Sequence, residues 1–175
     1  MKRIIRKLYR ILSSSQSTNH CWKIREKALY SRSILRYMYK YIFDRKMRKF
    51  GAFIPLSASF AGKPVFPHDF YGIFISSGAK IGTDCTIFHH VTIGSNTLLD
   101  TKHHGAPTIV NNVYIGAGAK IIGSIHVGNN VRIGANCVVV KDIPDNSTVV
   151  LPTSRVIEHD CALNNQFVKW SNEVV

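Results

Sequence analysis

Large aliphatic residues recur at every sixth position through most of this chain. They stand at Ile75, Ile81, Ile87 and Ile93, then at Ile109, Ile115, Ile121, Val127, Ile133 and Val139. Two positions ahead of each lies a second recurring class: Ile73, Ala79, Cys85 and Val91, then Pro107, Val113, Ala119, Ile125, Val131 and Cys137. Glycine follows the aliphatic at Gly82, Gly94, Gly116, Gly128 and Gly134. A period of six is neither helical nor a simple strand alternation. It predicts short strands joined by tight turns, each strand sending one large aliphatic inward, with glycine tolerating the turn. One such coil cannot bury its inner face alone, so successive coils must stack into a solenoid.

The period is broken twice. Ile54, Phe60 and Phe66 keep the spacing, but the step from Phe66 to Ile75 is nine, so FPHDFYGIF adds three residues to one turn and places His68 inside the addition. A bulge on a stacked scaffold can project a side chain away from the packed face. The step from Ile93 to Ile109 is sixteen, and SNTLLDTKHHGAPT therefore leaves the solenoid as a loop carrying His103 and His104. His89 and His90 lie in TIFHHVTIG inside a regular coil. Read as neighbours in a strand, they face opposite ways, so at most one can point at a given cleft.

Charge divides the chain in two. Residues 1–50 hold 15 Lys+Arg against Glu26 and Asp44, and the remainder balances 8 against 8, so the whole net charge of +13 belongs to the first part. CWKIREKALYSRSILRYMYKYIFDRKMRKFG reads as one or two amphipathic helices ended by Gly51, with Ile34, Met38, Tyr41 and Ile42 on one apolar face. Two roles suit it: a cap over the open end of the solenoid, and docking on an anionic membrane surface. The expected division is 1–50 helical and basic, 51–153 solenoid, 154–175 tail. No stretch reaches the roughly 20 uninterrupted apolar residues of a membrane span, and Arg6, Lys7 and Arg10 interrupt the opening segment as a signal peptide. The expected location is cytoplasmic, with peripheral contact at the inner face of the membrane. Cys21, Cys85, Cys137 and Cys161 have no metal-like spacing and read as free thiols, Cys85 and Cys137 as packing residues. No metal is expected.

GIFISSGAKIGTDCTIFHHVTIG, VYIGAGAKIIG and VRIGANCVVVKDIPDNSTVV resemble the hexapeptide-repeat acyltransferases, whose fold is a left-handed parallel β-helix. Within that group the likeness is to serine O-acetyltransferases and to serine-acetyltransferase-like proteins that modify surface glycans, and it covers about residues 51–157. The resemblance implies a mainly β fold, acetyl-CoA as co-substrate and a homotrimer with acetyl-CoA in the groove between subunits. It implies that His68, ahead of Gly72-Ile73-Phe74-Ile75, is the general base for an acceptor hydroxyl, a task suited to imidazole near neutrality. One more residue separates His68 from Gly72 than is usual in the serine enzymes. The resemblance also implies that the loop brings His103 or His104 to the acceptor, that Ala117 and Ala135 make room for the pantetheine arm, and that Lys141 and Arg155 meet the CoA phosphates. His89, His90 and Asp69 are candidate acceptor-binding residues, Asp69 also a candidate to orient His68.

The two carboxylates that the serine enzymes place around this histidine fall here on Phe53 and Pro67. Their loss favours a neutral acceptor, a sugar of a surface polysaccharide, with L-serine as the alternative. A non-catalytic solenoid and a nucleic-acid-binding protein are the readings from other classes. The second has a basic, tyrosine-containing segment but no recognition motif.

Overall fold

The computed structural model describes residues 17–162, 164 and 165. Among these the solenoid contributes twelve short parallel strands. The first six are β1 (Ser59–Phe60), β2 (Phe74–Ile75), β3 (Lys80–Ile81), β4 (Thr86–Ile87), β5 (Thr92–Gly94) and β6 (Thr108–Ile109). The others are β7 (Tyr114–Ile115), β8 (Lys120–Ile122), β9 (His126–Val127), β10 (Arg132–Ile133), β11 (Val138–Val139) and β12 (Thr148–Val149). They form three four-stranded sheets ordered β1-β3-β6-β9, β12-β10-β7-β4 and β11-β8-β5-β2. The chain visits the three sheets in turn, so each coil is a triangle; the stack is the solenoid the repeat predicts and the left-handed β-helix the resemblance implies.

Tyr114 pairs with Arg132 and Lys120 with Val138, the spacing of a regular coil of three six-residue repeats. Ser59 pairs with Lys80, three positions further than a regular coil allows, which makes the first insertion explicit. Thr92 pairs with Lys120, so the second interruption adds ten positions to its coil.

Every aliphatic of the six-residue series is at most 3% exposed, and Ile87, Ile115 and Ile133 stack in register down one interior column. Cys85 and Cys137 are buried in the companion slots. Burial raises the Cys85 thiol above its ordinary range, as expected of a packing residue and not a nucleophile.

The glycines after the aliphatics have a different cause from the one their position suggests. Their role is close approach: a Cβ on Gly82 would collide with the carbonyl oxygen of Val110, and one on Gly116 would sit 2.7 Å from the amide of Ala135. The left-handed backbone at the corners falls instead on two columns made mostly of polar residues. One is Asp84, Asn112, Asn130 and Asn146, with φ of 54–57°. Asn and Asp tolerate this conformation better than other side chains. Their amides also form a ladder, Asn112 to Asn130 at 2.9 Å and Asn130 to Asn146 at 2.8 Å. Asn130→Ala is expected to lower the unfolding free energy by about 1–2 kcal/mol, and Asn130→Gly by less; urea denaturation of the two variants checks this.

Two helices, α1 (Thr18–Tyr30) and α2 (Ser33–Lys49), close the N-terminal end of the solenoid. Gly51, at φ +58°, ends α2 with its amide on Arg48 and the Ala52 amide on Met47, a glycine-terminated helix end. The buried face of α2 is Tyr39, Ile42, Phe43, Lys46 and Met47. The face expected from the sequence is rotated from this: Ile42 is buried, but Ile34 and Tyr41 are 79% and 58% exposed. Only one of two apolar stripes can be buried, and the one containing Phe43 and Met47 is.

Trp22 of α1 packs edge-on against Phe60 at 5.0 Å, and Phe50 packs against Phe70 and Tyr71. Arg25 is 3% exposed, lies 4.6 Å from the Phe60 ring centroid, and donates to the Ala58 carbonyl at 2.6 Å. The helices therefore share one core with the first coil, as a cap must. Arg25→Ala removes a buried charged hydrogen bond and a cation–π contact together, an expected loss of about 2–4 kcal/mol; Arg25→Met, which keeps the packing, recovers part of it in the same unfolding experiment. Segment 1–16, part of the basic arm assigned to membrane docking, lies outside the described residues. No described helix is long and apolar enough to cross a membrane.

Candidate active site

The corner that leads from the β4 sheet into the β5 sheet brings the sequence candidates together. Val65 pairs with Thr86, and this register sets His68 over His89. The pairing of Thr86 with Tyr114 then sets His89 over Ala117, and that of Tyr114 with Arg132 sets Ala117 over Ala135. The neighbouring positions Asp69, His90, Gly118 and Asn136 form the second left-handed column, with φ of 51–72°. The Gly118 amide donates to the His89 carbonyl and the Asn136 amide to that of Ala117, which ties the column coil to coil. One outer edge thus carries two histidines and then two alanines.

The Nδ1 atoms of His68 and His89 are 2.7 Å apart. One of the two must carry the proton between them. The His68 ring also meets Phe88 edge-on at 5.4 Å, and Phe88 packs on Tyr114 at 5.1 Å. His68 is exposed.

His89 and His90 are on the corner, not in a strand, and His90 has the left-handed backbone at φ +57°. They do diverge, but through the turn. His89 goes to His68, and His90 lies against Gly72, where a Cβ would collide with its Nδ1. Gly72 is required at that close approach, and its own φ is +63°.

Asp69 does not reach His68: its carboxylate accepts from the Thr18 hydroxyl at the start of α1. Its left-handed backbone sends it toward the helical cap, so it does not orient His68 in this arrangement.

His103 and His104 are at a different corner, across the β5 sheet from His68. Their loop is ordered on itself. Asn96 and Gly105 pair antiparallel, the Asn96 side chain donates to Thr101, and the His103 carbonyl accepts from Ser124. Within one chain the loop and the histidine pair are therefore not joined. The cofactor candidates divide the same way. Ala117 and Ala135 continue the histidine column, Lys141 is exposed at the corner bearing the loop, and Arg155 is exposed in the extended tail.

Three residues around this corner are absent from the sequence-based candidates. Phe88 and Tyr114 form its aromatic flank, and the Lys120 ammonium spans two coils by donating to the carbonyls of His90 and Gly118 at 2.8 and 2.9 Å. Their signal is the register, because Tyr114 and Lys120 are the next-coil partners of Thr86 and Thr92.

A cavity of about 600 Å³ lies between α2 and the first coil, lined by Tyr37, Phe53 and Leu56 among others, and none of the histidines lines it. Among the described residues no three His, Cys, Asp or Glu side chains are grouped to hold a metal ion. The edge is instead a solvent-facing shelf that offers imidazole nitrogen at one end and little side-chain bulk at the other.

A histidine-bearing corner on a three-sided β-helix of six-residue repeats is the architecture of hexapeptide-repeat acyltransferases, and residues 106–141 match the family model described as bacterial transferase hexapeptide (six repeats). The chain carries the hexapeptide repeat and is similar to serine acetyltransferases. It is 44% identical over 96 residues to the serine acetyltransferase of Mycobacterium tuberculosis, a match covering 55% of this chain and 41% of that one. It is 42% identical over 99 residues to the Helicobacter pylori serine acetyltransferase, covering 57% of each. Among solved structures, Entamoeba histolytica serine acetyltransferase isoform 3 in complex with cysteine superposes with a TM-score of 0.65 at 28% identity, covering 86% of this chain and 54% of that one. The Neisseria gonorrhoeae enzyme in complex with serine gives 0.61 at 29% identity, covering 78% and 55%. The chain spans roughly half the length of the relatives it matches.

Proposed function

We propose that this protein is an acetyl-CoA-dependent O-acetyltransferase acting on L-serine. The observation that carries the reading is the single corner column in which the hydrogen-bonded pair His68–His89 is continued by Ala117 and Ala135. The relatives share the serine acetyltransferase name, which favours L-serine over the sugar expected from the missing carboxylates and lends the sugar no support. The alanines leave a strip along which the pantetheine arm can bring its thioester to His68. The imidazole accepts the proton of the serine hydroxyl as that oxygen attacks the thioester carbonyl. The C–S bond of the tetrahedral intermediate then breaks, the proton passes to the departing sulfur, and the products are O-acetylserine and CoA. The assembly read here is a homotrimer, with the 95–107 loop of one copy reaching the His68 corner of the next. Exposed Phe53, Phe74 and Val138, all on the same sheet, support a covered face.

A sugar hydroxyl is the second reading, and Phe53 and Pro67 favour it, since neither can hold the serine ammonium. Mass spectrometry of products after incubation with acetyl-CoA and either L-serine or a panel of sugars and nucleotide sugars tests both. O-acetylserine as the dominant product is expected. An acetylated sugar with no O-acetylserine would replace the first reading by the second.

Peripheral membrane placement is a further part of the proposal. It rests on the +13 of residues 1–50 and on the exposed Ile34, Tyr37 and Tyr41 of α2, which share a stripe with Arg45 and Arg48. Co-sedimentation with phosphatidylserine-containing vesicles, lost in neutral vesicles and at about 1 M salt, is the expected result.

A further inference from the structure

We infer that His89 is the positioning residue for His68 and does by neutral hydrogen bonding what a carboxylate would otherwise do. The inference rests on the acetyltransferase reading above, and it starts from the 2.7 Å Nδ1–Nδ1 contact. Two neutral imidazoles sharing that contact have two arrangements. If His89 donates, His68 carries its proton on Nε2 and has no free lone pair for the acceptor. If His68 donates from Nδ1, its Nε2 is unprotonated and faces outward as the base, while His89 carries its own proton on Nε2. Only the second arrangement is competent, and it is the one assigned to this protein.

The surroundings fix where His89 stands. Its carbonyl accepts from the Gly118 amide of the next coil, and the following residue is pinned in left-handed backbone against Gly72. Phe88, one residue earlier, packs between His68 and Tyr114. His89 therefore arrives on a held corner, as an orienting group should. Among the described residues no carboxylate competes for the role: Asp69 is engaged by Thr18, and the positions where the serine enzymes carry acids are Phe53 and Pro67. When His68 takes the acceptor proton, its Nδ1–H becomes a charge-assisted donor to the His89 lone pair, so the contact strengthens as the reaction proceeds. The proton taken at Nε2 is the one returned to the CoA sulfur, and His89 neither gains nor loses one.

Long-range proton–nitrogen correlation spectra of the full chain, without substrate, are the test. In the wild type His68 is expected as the Nδ1–H form and His89 as the Nε2–H form. His89→Ala is expected to return His68 to a mixture dominated by the Nε2–H form, and to lower kcat by about 10–100-fold with KM for acetyl-CoA unchanged. His89→Gln, whose side-chain oxygen can accept from Nδ1, is expected to restore the tautomer and most of kcat. A wild-type His68 protonated on Nε2, or a tautomer indifferent to His89→Ala, overturns the inference. The spectra judge positioning whether or not the wild type turns over. Wild-type inactivity toward every acceptor would sink the acetyltransferase reading by itself.

Discussion

His68→Ala is expected to reduce kcat for acetyl transfer by about 10²–10⁴-fold, the range that a lost general base spans. KM for acetyl-CoA should move little, because the strip assigned to the pantetheine arm is built from Ala117 and Ala135, and His68 only heads the column. Stability should also move little. His68 is exposed, and its ring contacts are with Phe88 and His89. Steady-state kinetics with both substrates varied, alongside an unfolding curve, separates these outcomes. A large rise in KM with kcat intact would mean that the histidine binds and does not catalyse. Equal activity in the variant would remove His68 from the chemistry altogether.

The largest expected effect on stability comes from the opposite side of the wall. Ile115 is fully buried in the interior column between Ile87 and Ile133, each in register with it from the coil on either side. Ile115→Ala leaves a cavity that two stacked coils cannot close without breaking their hydrogen bonds, so a loss of about 2–5 kcal/mol is expected. That is a large part of the roughly 5–15 kcal/mol typical of a folded domain. Ile115→Val, one methylene smaller, should cost only about 0.5–1.5 kcal/mol. Urea unfolding at one fixed protein concentration checks the pair, since any association of copies would make the midpoint concentration-dependent.

The repeat is legible because it is simple physics. One interior position per strand must be large and apolar, and the chain supplies it at each sixth residue. The nine-residue step at Phe66 locates the insertion, and the sixteen-residue step at Ile93 locates the loop. What the repeat does not announce is which residues stack at the corners, because that requires adding insertions to coil lengths. Once Val65 is set on Thr86, Thr86 on Tyr114 and Tyr114 on Arg132, the residues His68, His89, Ala117 and Ala135 fall on one line. The information is present in the chain, but a strand reading of His89 hides it, and the left-handed φ of His90 makes the pair part of a turn. The helix face is missed for another reason. Ile34, Met38 and Tyr41 form as plausible a stripe as Tyr39, Phe43 and Met47, and only the tertiary packing, which buries the second, decides between them.

Asp69 shows the limit of neighbour-based inference. A carboxylate beside a histidine in sequence invites a dyad, but the turn that exposes His68 rotates Asp69 toward Thr18. His103 and His104 show a second limit. Their loop leaves from the far corner of the β5 sheet, so within one chain they do not stand beside His68.

Acetyl transfer at this corner column is measured most directly by release of the CoA thiol from acetyl-CoA. With purified wild-type protein the expected release depends on added L-serine, matches ester formed, and falls by at least about 10²-fold in His68→Ala. Release that is equal in wild type and His68→Ala, or absent with every hydroxyl acceptor offered, would contradict it.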